Sequence, residues 1–149
     1  MEAVIFVGIQ ATGKSSFYKE RFFKTHVRIN LDMLKTRHRE HVLIQACLAA
    51  KQPFVVDNTN VTVEARARYI ARAHEAGFQV IGYCFRSDLE SALRRNQERQ
   101  GKERIPEQGL VAMSRKLQTP TLDEGFDQLY DVCLDQHGQF VVTPWVDVD

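Results

Sequence analysis

Cysteine is scarce and scattered in this chain. Cys47, Cys84 and Cys133 are the only three, and none belongs to a CxxC pair. That spacing argues against a disulfide framework or a cysteine zinc site and predicts free thiols in a reducing compartment. No apolar stretch approaches the roughly 20 residues a membrane helix requires. The chain opens MEAVIFVGIQ, with no basic leader before its first apolar run. Neither a signal peptide nor a membrane anchor is therefore expected, and the expected location is cytoplasmic. Internal repeats, low-complexity tracts and linker-like segments are also missing. The 149 residues are predicted to form a single domain, 1–149. A net charge of +1 points to no particular partner, but the charge is unevenly spread. From Lys14 to Arg39 there are eight Lys or Arg against two acids, whereas 119–149 holds seven acids and no Lys or Arg. A basic first half suits an anionic substrate, although solvated helix faces would give the same composition.

Against those absences stand regular apolar runs that alternate with helical patterns, the signature of a parallel sheet flanked by helices. Strands are predicted at Ala3–Val7, His26–Asn30, Phe54–Asp57 and Gln79–Phe85. The continuous apolar character of AVIFV suits a strand buried on both faces. Helices are predicted over Ser15–Lys24, over Leu31–Lys51 up to the stop at Pro53, and from Thr62 to a cap at Gly77. A further helix opens at the capping-box pattern SDLE (Ser87–Glu90) and ends before Gly101. A mobile polar loop, GKERIPEQG, and a short helix over Gln108–Leu117 come next. Two antiparallel strands joined across DQHG are expected within the tail from Gln128 to Val142.

Directly after the first strand comes GIQATGKS, which satisfies G-x-x-x-x-G-K-[ST] between a predicted strand and a predicted helix. Gly8 and Gly13 let the backbone approach oxyanions closely, and the helix N-terminus adds partial positive charge. Gly8, Ile9, Gln10, Ala11, Thr12, Gly13, Lys14, Ser15 and Ser16 are thus the expected binding loop for ATP. Lys14 is expected to reach the β- and γ-phosphates, and Ser15 to hold Mg²⁺ through its hydroxyl.

Phosphoryl transfer also needs a group to take the acceptor's proton and cations to neutralise the transferring phosphoryl. Asp32, in the first turn after the second strand, lies at the end of the sheet where open α/β folds bind ligands. Two readings are open for it, a general base or a complement to the helix dipole. Lys35 and Arg39 follow at i+3 and i+7 on the expected continuous helix, either as acceptor-binding cations or as a surface salt-bridge row. Asp57, at the tip of the third strand, is expected to support the metal. Asn58 and Asn60 suit either substrate hydrogen bonding or turn chemistry. Arg95 and Arg99 share a helix face beside the loop, as lid arginines over the donor phosphates or as a solvated helix end. The lid is expected over about 94–108.

Taken together, GIQATGKSSF, NLDML, VVDNTN, ARARYIARAHEAG, RRNQER and PTLDEGF resemble the 5′-kinase domain of polynucleotide kinases. The resemblance runs from Ala3 to about Leu134 and implies an adenylate-kinase-like P-loop fold with a helical lid. It implies transfer of the γ-phosphate of ATP, with Mg²⁺, to the 5′-hydroxyl of a DNA or RNA end in nucleic-acid end repair. Asp32 would be the base, and Lys14, Arg99 and Arg95 would act on the donor phosphates. Lys35 stands where relatives often carry an arginine for an acceptor phosphate, and a lysine lacks that bidentate fork. No DxDGT-type run is present, so the phosphatase half of the bifunctional relatives is not expected. Any repair phosphatase or ligase would then be a separate chain. The alternatives are a small-molecule P-loop kinase acting on a sugar, nucleoside or antibiotic, and a nucleotide-sensing module.

Overall fold

The strand that precedes the glycine loop, β1 (Glu2–Val7), lies inside a six-stranded sheet. In this computed structural model, which describes residues 1–86 and 89–146, β1 pairs in parallel with β3 (Phe54–Val56) on one side and β4 (Gln79–Phe85) on the other. β2 (Val27–Ile29) extends the sheet beyond β3, and β5 (Gln128–Leu134) beyond β4, both parallel. β6 (Phe140–Pro144) closes the far edge antiparallel to β5. The sheet order is β2-β3-β1-β4-β5-β6, so the α/β architecture expected from the alternating pattern is present.

Helices cover both faces, which is why β1 reads as an unbroken apolar run. On one face Ala3, Ile5 and Val7 join Ile29, Val56 and Val80 in a core shared with α3 (Arg37–Ala50) and α4 (Val63–Glu75). On the other, Val4 and Phe6 join Val55 and Ile81 against α1 (Lys14–Arg21). Phe6 meets the rings of Phe17, Phe22, Tyr83 and Phe85 at centroid separations of 5.0 to 6.1 Å. Each such ring contributes about 1.5–3 kcal/mol by leaving water. At Gly82 an added Cβ would come within 2.6 Å of Phe126 and 2.7 Å of Leu129, so only glycine allows that close packing on β4.

Local chemistry explains where the helices depart from expectation. The predicted helix over Leu31–Lys51 is two helices, α2 (Leu31–Leu34) and α3. Lys35 takes φ 76° between them, and Thr36 restarts the chain by accepting from the Arg39 amide at 3.1 Å. A threonine cap satisfies an amide that a continuous helix would have used internally. α1 ends at Arg21, short of Lys24, because Phe22 turns inward to the aromatic cluster. Thr62 caps α4 through the Ala65 amide at 3.1 Å, and Gly77 follows its end at φ 80°.

α5 (Leu89–Glu98) and α6 (Glu107–Lys116), joined through a 3₁₀ turn at Gly101–Glu103, form a helix pair that contains the segment expected as the lid. Ala92 and Leu110 bury against Ile9, Ala11 and Val61, which seats the lid on the glycine loop. The predicted capping box falls partly on residues 87 and 88, outside the described residues, as do the acids at 147 and 149. Among the described residues no helix is long and apolar enough to cross a membrane, and all three cysteines are free.

Candidate active site

The loop between β1 and α1 is held by bonds to its neighbours and within itself. The Gly8 amide donates to Thr59 O at 2.9 Å, and Thr12 Oγ1 donates to Ile9 O at 2.9 Å. Ala11 and Gly13 take φ 64° and 93°. At Gly13 a Cβ would lie 3.1 Å from the Phe140 ring, so positive φ and close contact both call for glycine. Gly13 is the N-cap of α1 and brings no side-chain acceptor. The first amides of the helix therefore remain available to an anion.

Lys14 Nζ donates to Gly8 O at 2.9 Å and Ile9 O at 2.7 Å, folding the side chain over the loop. Its pKa is lowered to about 8, chiefly because burial disfavours the ammonium. Asp57 opposes that shift, Arg99 adds to it, and Asp32 opposes it more weakly. Three residues distant in sequence thus converge electrostatically on one ammonium group.

The ends of β2 and β3 hold the two acids in place. Asn30 accepts from the Met33 amide at 2.9 Å through Oδ1 and donates to Asp57 O at 2.6 Å through Nδ2. The Leu31 amide donates to Asn58 Oδ1 at 2.8 Å. These bonds fix the turn carrying Asp32, which is exposed in α2, beside the buried Asp57.

Asp57 Oδ2 accepts from Ser15 Oγ at 3.2 Å and from Arg28 Nε at 2.8 Å, and Arg28 Nη2 donates to Ser15 Oγ at 3.0 Å. A carboxylate and a hydroxyl this close, next to a phosphate-type loop, are the hard oxygen donors Mg²⁺ takes when substrate phosphates and water complete its shell. A guanidinium already bridges both oxygens. The donor set fits a nucleotide-bound Mg²⁺. Among the described residues there is no cluster of three or more His, Cys, Asp or Glu able to hold a metal by itself.

The α5–α6 helix pair brings two arginines. Arg95 Nε donates to Ala11 O at 2.7 Å, while Arg99 Nη1 reaches Glu103 O at 3.3 Å. Asn96, 1% exposed, holds the intervening loop by accepting from the Ile105 amide at 2.8 Å and donating to Ile105 O. The segment expected as a mobile loop is thus clasped to α5 by a side chain.

The structure brings together Gly8–Ser16, Asp32, Asp57, Arg95 and Arg99. It separates Lys35 and Arg39. The break at Lys35 puts them on different sides of a helix junction, so the expected single face shared with Asp32 does not exist. Both remain exposed, and Arg39 Nη1 donates to Leu34 O at 3.2 Å at the end of α2. Asn58 and Asn60 are engaged by the scaffold. Asn58 Nδ2 donates to Glu40 Oε2 at 3.1 Å, and the buried Asn60 Nδ2 donates to Phe6 O at 2.8 Å. Sequence reasoning missed Arg28, whose one signal was a cation at the centre of the short strand HVRIN, and it missed Asn96.

Residues 4–120 match the family model described as AAA domain. The Schizosaccharomyces pombe protein named bifunctional polynucleotide phosphatase/kinase is 29% identical over 135 residues, covering 88% of this chain and 33% of that protein. The chain therefore spans about a third of that relative's length. Chaetomium thermophilum Kti12, solved with ADP-AlF3, superposes with TM-score 0.65 at 16% identity, covering 89% of each chain. A gluconokinase from Sinorhizobium meliloti 1021 superposes with TM-score 0.60 at 17% identity, over 87% of this chain and 82% of that one. These two likenesses are of fold.

Proposed function

The chain belongs to the AAA domain family and has the fold of a P-loop kinase, and from that premise we propose that it phosphorylates the 5′-hydroxyl of DNA or RNA ends with ATP. The observation that supports this reading is that Asp32, exposed in the turn after β2, acts electrostatically on Lys14. An exposed carboxylate within electrostatic reach of the loop lysine supports a role for Asp32 as base toward an acceptor hydroxyl. The 29% identity to a polynucleotide phosphatase/kinase supports a nucleic-acid acceptor.

In this proposal Lys14 and the amides of Gly8–Ser16 hold the donor phosphates, as an N-terminal helix cradle does. Ser15 and Asp57 would hold Mg²⁺, which would supply charge neutralisation for the transferring phosphoryl group. Asp32 accepts the proton of the 5′-hydroxyl as its oxygen attacks the γ-phosphorus. The new O–P bond forms while the bridging bond to the β-phosphate breaks, and ADP leaves with that bridging oxygen. Arg95 and Arg99 face the developing charge from the lid and help exclude water. Lys35 and Arg39 attract acceptor phosphates at the exposed rim. Asn58 and Asn60 act through the backbone they brace.

The fold likeness to a gluconokinase, most of whose length this chain covers, supports a second reading, a small-molecule kinase. Incubation with ATP-Mg²⁺ and a 5′-hydroxyl oligonucleotide separates the two. The proposal expects labelled oligonucleotide at a rate that falls with salt. Transfer to a sugar or nucleoside, with none to DNA or RNA, replaces it with the second.

A further inference from the structure

Arg28 has a geometry that neither the phosphate cradle nor the base requires. It lies on the edge strand β2, on the sheet face that carries Val55 and α1 and opposite Ile29. From there its guanidinium crosses to the two atoms best suited to a metal. Nε meets Asp57 Oδ2 at 2.8 Å, and Nη2 meets Ser15 Oγ at 3.0 Å. Asp57 is 2% exposed, whereas the Arg28 side chain is 27% exposed. One partner is locked in the interior and the other has a way out to solvent along a sheet edge.

That asymmetry has a physical reason. A carboxylate as buried as Asp57 is costly without a counter-charge. Before a divalent cation arrives, something must neutralise it. The donor atoms engaged by Arg28 are the ones the metal would use, so a guanidinium and a metal cannot both occupy them at these distances.

We propose that Arg28 is the resident cation of the metal site and exchanges with the divalent ion when nucleotide binds. In the nucleotide-free chain it neutralises Asp57, holds Ser15 and excludes bare divalent ions. Arg28 would release these atoms when the divalent ion arrives held by nucleotide phosphates, because the loop amides and Lys14 then bind those phosphates. The site thus selects the metal–nucleotide complex over the free ion. This rests on the metal-nucleotide reading of the cradle and is independent of the acceptor.

The test is Mn²⁺ titration followed by electron paramagnetic resonance, without nucleotide and with ADP. The proteins compared are wild type, Arg28→Met, Arg28→Lys and Arg28→Met combined with Asp57→Asn. Without nucleotide, Arg28→Met should bind Mn²⁺ about 10- to 100-fold more tightly than wild type, the size of a lost charge-assisted competitor. Arg28→Lys, which keeps a cation, should stay near wild type, and the double variant should lose the gain. In metal-free buffer Arg28→Met should also melt below wild type, and Mg²⁺ should raise its melting temperature more. Equal or weaker Mn²⁺ binding by Arg28→Met overturns the proposal, since Arg28 would then orient Asp57 without competing. A gain that survives Asp57→Asn overturns it too. If wild type and Arg28→Met both ignore Mn²⁺ even with ADP, the metal reading of the cradle itself fails.

Discussion

Arg66 and Glu124, 58 positions apart, form a two-pronged ion pair in the interior, Nε to Oε1 at 2.7 Å and Nη2 to Oε2 at 3.0 Å. The third nitrogen, Nη1, donates to Asn60 O at 2.9 Å. Arg66 is 0% exposed. Asn60 in turn holds Phe6 O, and the neighbouring Thr59 O receives the Gly8 amide. The ARARY helix and the PTLDEGF segment therefore support the glycine loop from behind.

Removing one partner of that pair leaves a buried charge alone. Glu124→Ala should destabilise the chain by about 3–5 kcal/mol, lowering the melting temperature by roughly 10 °C. Arg66→Met combined with Glu124→Leu should recover most of the loss, since packed apolar groups often replace buried pairs without penalty. Urea denaturation of these two variants beside wild type measures the loss and its recovery. A loss below about 1 kcal/mol in Glu124→Ala would show the guanidinium finding water instead.

The strands and the cradle were legible because each is written locally: a run such as AVIFV between turn residues, then two glycines and a lysine at fixed spacing. The break at Lys35 was not, because no glycine or proline marks it. Its cause is a pair of caps, Asn30 for α2 and Thr36 for α3, which satisfy the amides of Met33 and Arg39. Arg28 was illegible for a different reason. Its partners Ser15 and Asp57 lie 13 and 29 residues away and meet it only where β2, β3 and α1 converge. Asn58 and Asn60 stand beside Asp57 in sequence, yet their amides turn to Glu40 and Phe6, a choice set by tertiary packing.

Asp32 as a base makes a claim about turnover, not donor binding. Asp32→Ala should lower kcat about 10²- to 10⁴-fold. The Kd for ATP should hold or tighten slightly, since a negative charge near the phosphates is removed. Single-turnover assays and calorimetry separate the two quantities. Parallel loss of affinity and rate would return Asp32 to a structural role.

The depressed pKa of Lys14 gives two pH dependences of known sign. Below about pH 8 the lysine is charged in both folded and unfolded chains, and its burial penalty is constant. Between about 8 and the ordinary 10.5 the unfolded chain retains a proton that the folded one releases. Stability of the nucleotide-free protein therefore gains from Lys14 as pH rises through that window. Bound phosphates favour the ammonium, so above pH 8 ADP binding should take up a proton. Its affinity should fall by up to about tenfold per pH unit. Calorimetry at pH 8.5 to 9 in buffers of different ionisation heat reads the uptake, and Lys14→Arg, charged throughout, should abolish it.

Asn96 makes the lid testable apart from its arginines. Asn96→Ala leaves the Ile105 amide and carbonyl without their partner, a loss of about 1–3 kcal/mol confined to the loop before α6. Limited trypsin digestion should then cut faster after Arg99 or Arg104, while urea unfolding of the rest of the domain shifts less. Unchanged cleavage would mean that Ala92 and Leu110 hold the lid without the clasp.

Lys35 and Arg39 decide whether the exposed rim serves a nucleic-acid acceptor. Each contributes one cation, now at a helix junction and not on a shared face. If both meet acceptor phosphates, Lys35→Ala with Arg39→Ala should raise KM for a 5′-hydroxyl oligonucleotide. It should also flatten the slope of log affinity against log salt by about 1 to 2. The KM for ATP should stay near wild type, because the donor is held by the loop. The charge-neutral pair Lys35→Gln with Arg39→Gln should behave the same, which separates lost charge from lost packing. An unchanged salt slope would detach these residues from any phosphate-bearing acceptor and favour a small-molecule substrate seated deeper, between Asp32 and the lid.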